Sequence, residues 1–108
     1  YGTVTGVQTC ALPILPLIKA YNWDPAPDSL SNVDNVLGVQ CCLWTEFIET
    51  EAHAEYMLYP RLMAMAEVAW TPQDVRQYED FVQRALAQEK KIKSLGYNFF
   101  DLTKTNGR

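Results

Sequence analysis

Residues 36–43 read VLGVQCCL, and this run constrains the fold more than any other part of the chain. Only Gln40 is polar and nothing alternates, so a strand made from it is apolar on both faces. Such a strand belongs in the middle of a parallel sheet that helices cover on each side. The chain offers it few neighbours. YNFFDL, residues 97–102, is the other strand candidate, and even a two-stranded hairpin is marginal in water.

The segments after the run are helical in pattern. Thr50 is placed to cap a helix with Glu51 in its first turn, and EAHAEYMLYPRLMAMAEVAW follows with apolar residues on most faces. Pro60 predicts a kink or restart with itself as first residue of the second piece. Ala64, Ala66 and Ala69 permit close approach, and Trp70 is expected to pack. A second helix is predicted to start near Thr71-Pro72 or Asp74. Its stripe is Val75, Tyr78, Val82, Leu86 or Ala85, Ile92 and Leu95, and Gly96 ends it as a left-handed cap.

Before the run, residues 15–31 read as a loop: Pro16 and then YNWDPAPDSLS favour turns over any regular element. Tyr21 and Trp23 stand out there as packing anchors or as ligand contacts. The predicted order is therefore loop, buried strand, helix, helix, with an unmet need for more sheet. The fold class expected from this order is α/β, the last piece of a larger α/β protein and mostly helical when isolated.

The first residues need separate treatment. Val4 through Ile14, VTGVQTCALPI, coincide residue for residue with the translation of a common short-read sequencing adapter. Residues 1–14 therefore read as a non-native segment, and 15–108 carry the fold. The opening stretch is apolar but lacks a basic flank, so it is a poor signal peptide, and the compartment stays open; a leader is expected on a missing part, with a periplasmic or secreted parent one option.

Composition excludes several classes. A net charge of -4 argues against nucleic acid, since the phosphate backbone demands a basic face. Lys90, Lys91 and Lys93 sit among acids and read as a solvated helix face. No apolar run approaches the roughly 20 residues of a membrane span. Three cysteines, with Cys41 and Cys42 adjacent, form neither a disulfide framework nor a metal-ligand spacing, so no metal and no cofactor is expected.

Chemistry enters just past the apolar run, at Trp44 and Glu46. In a parallel α/β barrel, residues beyond the C-terminal end of a strand face the active-site mouth. A period of two puts both side chains on one side: a flat apolar plate beside a charged acceptor. That pair suits a pyranose, whose apolar face meets the indole and whose hydroxyls a carboxylate can grip.

LGVQCCLWTEFIETEAHAEYMLYPRLMAMAEVAW, followed by YEDFVQRALAQEKKIKSLGYNFF, resembles the C-terminal end of the catalytic barrel of family 20 glycoside hydrolases, the β-N-acetylhexosaminidases. The likeness covers about residues 21–99 and implies an α/β fold that is the C-terminal fragment of a (β/α)8 barrel, the last strand plus two long helices, with residues 15–108 as the C-terminal part of a glycoside hydrolase catalytic barrel. It implies that Trp44 forms part of the wall around a terminal N-acetylglucosamine or N-acetylgalactosamine, and that Glu46 accepts hydrogen bonds from its outer hydroxyls. It also implies substrate-assisted retaining catalysis, in which the 2-acetamido oxygen attacks the anomeric carbon. The general acid in such enzymes is the Glu of an adjacent Asp-Glu pair. This chain contains no Asp-Glu dipeptide, so it is expected to hold no catalytic residue and, alone, no activity. The implied partners are a carbohydrate with a terminal N-acetylhexosamine and the missing N-terminal part of the same barrel. Cys41 and Cys42 stand where the family usually has other small residues, which changes packing more than chemistry.

Plainer readings hold for the other polar groups. Glu49 and Glu51 serve solubility and the helix dipole, and His53 lies on a helix surface. Arg61 and Glu67, costly to bury alone, are expected in ion pairs or hydrogen bonds to barrel loops. Trp23 and Asp24 are candidates for the outer border of a substrate cleft. The alternative for the whole chain is a small helical protein-interaction module in which Trp44 and Glu46 are merely structural.

Overall fold

A computed structural model describes residues 16–27, 34, 36–46 and 48–102. The segment read as adapter, residues 1–14, lies outside these. The described part is mostly helical: α1 (Leu17–Tyr21), α2 (Glu51–Leu58), α3 (Arg61–Trp70), a 3-10 turn (Gln73–Val75) and α4 (Tyr78–Ser94).

Helix α1 occupies what the sequence presents as loop. Leu17, Ala20 and Tyr21 are its buried residues, an i, i+3, i+4 face that the surrounding prolines obscure. Pro16 works with this short helix: its carbonyl accepts from Lys19 N at 3.0 Å and Ala20 N at 3.1 Å, while its own missing N–H costs nothing at the N-terminus.

Thr50 caps α2 as expected, its side chain accepting from His53 N at 3.1 Å. The interruption at Pro60 is also present. Pro60 is the N-cap of α3 rather than its first residue, follows a cis peptide bond, and accepts from Ala64 N at 3.0 Å. In α3, Arg61, Ala64, Met65 and Val68 form the buried stripe. Ala64 is the alanine that permits close approach; Ala66 and Ala69 are exposed.

The last helix starts later than expected, at Tyr78. Val75 belongs to the 3-10 turn and is 62% exposed, so it is no part of the stripe, which is carried by Tyr78, Phe81, Val82 and Ala85. Glu79 and Asp80 lie in the first turn and Lys91 and Lys93 in the last, each complementing the helix dipole. Gly96 has φ of 92°, the left-handed conformation predicted for the cap, but Leu95 before it is exposed.

The core is Leu17, Ala20, Tyr21, Ala64, Met65, Phe81 and Ala85, so α1, α3 and α4 meet in it. Tyr21 and Trp23 both act as anchors. The Tyr21 ring lies edge-on to Tyr78 at 5.6 Å and tilted to Phe81 at 4.9 Å, while Trp23 packs against the cluster from its rim.

Neither strand candidate is a strand. Residues 36–45 carry no regular secondary structure, although Val39 and Cys41 pack against the core. A β-strand exists only through a ladder, and no neighbouring strand is present among the described residues. The YNFFDL segment is instead a strap across the α2–α3 junction. Phe100 N donates to Tyr59 O at 2.9 Å, Asn98 N to Glu55 Oε1 at 2.9 Å and Asn98 Nδ2 to Ala52 O at 3.0 Å; Phe99 is buried. Trp70 differs most from expectation. It ends α3 at 87% exposure, because the stripe of that helix faces the core through residues 61, 64, 65 and 68 and position 70 falls outside it.

Candidate functional site

The segment that precedes Trp44 presents two faces. Val39 and Cys41 are turned to the helices and packed against their core. Gln40 and Cys42 meet each other, Nε2 to Sγ at 3.7 Å, as side chains two apart on one face do. Trp44 follows at 57% exposure, and Glu46 is exposed as well. Neither makes a hydrogen bond, ion pair or ring contact among the described residues.

The chain turns directly after Trp44. Ile48 N donates to Thr45 O at 3.1 Å, so Glu46 sits inside a four-residue turn and not in a continuing extended segment. This corrects the geometric basis of the pairing: a strand period of two reaches Trp44 and stops there. Both residues are exposed in the stretch that leads into α2. A groove of about 500 Å³ between α3 and α4 is lined by other residues, among them Met63, Glu67, Trp70 and Arg84.

The other polar candidates are structural. Glu67 accepts from Tyr21 Oη at 2.6 Å and from Arg84 through both oxygens, at 2.6 and 2.9 Å. The Arg84 guanidinium holds its carboxyl below the usual carboxylate range, with burial opposing and the Tyr21 bond assisting. Burial, helped by the Glu67 contact, pushes the Tyr21 phenol up to about 12. Arg84 also binds Asp80 one turn away at 2.8 Å, an i, i+4 pair that the sequence spacing could have shown. Arg61 is 6% exposed, which lowers its pKa; it donates to Met57 O at 3.3 Å and lies 4.7 Å over the Phe100 ring.

Arg76 went unnoticed in the sequence because its partners are carbonyls. Its Nη1 donates to Tyr21 O at 3.1 Å and Trp23 O at 3.5 Å, pinning the exit of α1. Asp24 closes a local turn by accepting from Ala26 N at 2.9 Å. His53 lies near Tyr56 at the start of α2, and Glu49 and Glu51 are exposed, as their plain readings expect. Among the described residues no group of three or more His, Cys, Asp or Glu could hold a metal ion, and no helix is long and apolar enough to cross a membrane.

Residues 3–73 match the model of glycosyl hydrolase family 20, catalytic domain. A beta-hexosaminidase of Akkermansia muciniphila is 34% identical over 94 residues, which is 84% of this chain and 18% of that protein. A beta-hexosaminidase of Porphyromonas gingivalis is 39% identical over 71 residues, 64% of this chain and 9% of its own length. Among solved structures, the exo beta-N-acetylglucosaminidase of Vibrio harveyi in complex with N-acetylglucosamine superposes with a TM-score of 0.72 at 34% identity, over 81% of this chain and 14% of that one. The β-N-acetylhexosaminidase of Streptomyces coelicolor A3(2) gives 0.68 at 28% identity, over 78% of this chain and 17% of that one. The chain thus spans less than a fifth of each of these proteins.

Proposed function

Because the chain belongs to glycosyl hydrolase family 20, we propose that it is the C-terminal piece of a barrel that removes terminal N-acetylglucosamine or N-acetylgalactosamine from glycoconjugates, and that Trp44 and Glu46 form one wall of its sugar pocket. The observation that carries this is the facing of the segment before Trp44. Val39 and Cys41 are committed to the helices, so the alternate residues look the other way, and in a (β/α)8 barrel the way opposite the helices is the interior. Continuing that alternation by one pleat aims the Trp44 indole at the barrel mouth. Glu46, two residues on in the turn, supplies an exposed carboxylate.

The chemistry follows the substrate-assisted route. The acetamido oxygen attacks the anomeric carbon as the leaving-group oxygen takes a proton from a general acid, and water then opens the oxazolinium with net retention. Within this route Trp44 shields the reacting sugar from water, and Glu46 holds its outer hydroxyls so that the anomeric carbon stays in register. The general acid and the Asp that orients the acetamido group are supplied from elsewhere in the barrel, so this chain alone does not hydrolyse substrate.

The test is inhibitor affinity in the intact enzyme. An N-acetylglucosamine-derived thiazoline should bind Glu46→Gln roughly 10-fold or more weakly, as expected for loss of charged hydrogen bonds worth about 1.5–3 kcal/mol. Trp44→Ala should weaken it to a comparable degree, and unchanged affinity in both variants overturns the assignment. The rival reading, a freestanding helical interaction module, has no comparable support. The family match also runs across residues 3–14, so the non-native reading of that segment rests on its coincidence with adapter codons alone. Amplifying the locus from source DNA tests it, and codons contiguous with an upstream reading frame refute it.

A further inference from the structure

Helix α2 follows the turn that carries Glu46, yet none of its residues is buried. Its cap is internal too: Thr50 accepts from His53 N and from Ala54 N, so both bonds stay within the first turns of the helix itself. The strap after α4 grips it from outside. Asn98 reaches the start of α2 with two donors, its backbone N to Glu55 Oε1 at 2.9 Å and its Nδ2 to Ala52 O at 3.0 Å. The Asn98 Oδ1 accepts from Phe99 N at 3.0 Å, which holds the amide with Nδ2 toward the helix. Phe99 is buried and the Phe100 ring lies 4.8 Å from that of Tyr56, so the strap is itself anchored. The far end of α2 has a separate hold, Arg61 Nη1 to Met57 O at 3.3 Å.

We propose that Asn98 is a positioning residue for the sugar pocket: by clamping the start of α2 it sets where the turn before that helix, and with it the Glu46 carboxylate, stands. This rests on the pocket reading above and deepens it, since it gives the binding carboxylate a support from the far end of the chain. The lever is short. Glu46 and the cap residue Thr50 are separated by a brief stretch of chain, and the bond from Ile48 N to Thr45 O at 3.1 Å stiffens it. A helix moves as a rigid element, so one without a buried side passes on whatever position its clamp imposes. A carboxylate that must meet fixed hydroxyls loses binding when its support shifts by a fraction of an ångström.

A double-mutant cycle on thiazoline affinity in the intact enzyme tests this. Asn98→Ala should weaken binding about 3–10-fold and raise KM for an aryl N-acetylglucosaminide while kcat stays within about 2-fold. In a Glu46→Gln background the same change should have no further effect, because its route to the sugar is already cut. Equal losses in the two backgrounds overturn the proposal. Val68→Ala, which thins the buried stripe of α3, is the control for general loosening: it should lower the urea midpoint and leave affinity and KM unchanged. An affinity loss there as large as that of Asn98→Ala also overturns the proposal. Hydrogen exchange on the full chain separates the clamp from the pocket reading. Asn98→Ala should speed exchange of the Ile48 amide about 10-fold and leave amides inside α3 and α4 as they were. An unchanged Ile48 amide overturns the positioning role whatever the inhibitor does. A faster Ile48 amide beside a Glu46→Gln enzyme that binds as tightly as the parent refutes the pocket reading, and with it the route to the sugar, while the clamp on the turn stands.

Discussion

Arg84 grips Glu67 through both carboxylate oxygens, Nη1 to Oε1 at 2.6 Å and Nη2 to Oε2 at 2.9 Å, and so ties α4 to α3. The pair is unequal. The Glu67 side chain is 11% exposed and Arg84 54%, so removing each has a different cost. Glu67→Ala strands the buried Tyr21 hydroxyl and should destabilise the chain by about 1–3 kcal/mol. Arg84→Met leaves that hydroxyl bonded and discards only a half-solvated ion pair, for about 0.2–1 kcal/mol. Urea unfolding of both variants checks the order, and equal losses would show that the Tyr21 bond contributes nothing.

Acid should weaken the same tie. The Glu67 carboxyl titrates below its ordinary range in the folded chain, so the unfolded chain takes up the proton first and stability falls with falling pH. The contribution is fully present above the unfolded carboxyl value of roughly 4.5 and is lost as pH drops through the lower folded one. In Arg84→Met the largest cause of the depression is gone. Its pH-dependent loss between about pH 5 and 3 should therefore be shallower than in the parent chain, measured as urea midpoints across that range.

Alkali acts on the other partner. Tyr21 is pushed up to about 12, above the ordinary 10.0, so the folded state holds its proton more tightly than the unfolded one. The contribution is complete below the unfolded value and disappears as pH rises toward the folded one. Burial raises the Tyr78 phenol as well, so absorbance at the tyrosinate band should show both lagging the exposed ones, and Tyr21→Phe should remove the Tyr21 part of that lag. Loss of the lag in Glu67→Gln as well would assign part of it to the carboxylate and not to burial alone.

What the sequence disclosed and what it hid divide by range. Thr50, the break at Pro60 and the Gly96 cap are local devices, and each is found at or within one residue of its expected place. Helix α1 was hidden because five residues between prolines give too short a period to recognise, and only the distant partners Glu67 and Phe81 reveal why Leu17–Tyr21 is helical. The strand at 36–43 was read correctly as needing neighbours, and lacking them it is no strand. Trp70 misled because its size suggests a core residue while its angle on α3 points it outward. For the site, the sugar-binding reading of Trp44 and Glu46 came from residue type and family likeness; the turn at Thr45, which removes Glu46 from the strand register, depends on a backbone hydrogen bond that no spacing rule foretells.

Arg76 should matter out of proportion to its place in a surface turn. Its Nη1 serves the carbonyls where α1 ends, its guanidinium lies 5.9 Å from the Tyr21 ring centroid, and its Nε is buried without a partner. Arg76→Ala should cost about 1–3 kcal/mol, for carbonyls left without a charged donor. Trp23 emission should shift to the red as its packing loosens, read in a background where Trp44 and Trp70 are phenylalanine. An unshifted spectrum would mean that Trp23 is held by its ring contacts alone.

A residue kept for binding and a residue kept for packing respond oppositely to truncation, and the proposed pocket role of Trp44 can be set against the packing of Met65 on that ground. Met65 is 1% exposed at the centre of the core, so Met65→Ala should lose about 2–5 kcal/mol through lost burial and a residual cavity. Trp44 is larger but 57% exposed and free of polar or ring partners among the described residues. Trp44→Ala should therefore stay within roughly 0.5 kcal/mol of the parent chain, as surface substitutions do. Thermal or urea unfolding of the two variants decides between them. A loss at Trp44 approaching that at Met65 would make the indole a structural element of the chain, and its place in the sugar pocket would then need evidence other than its exposure.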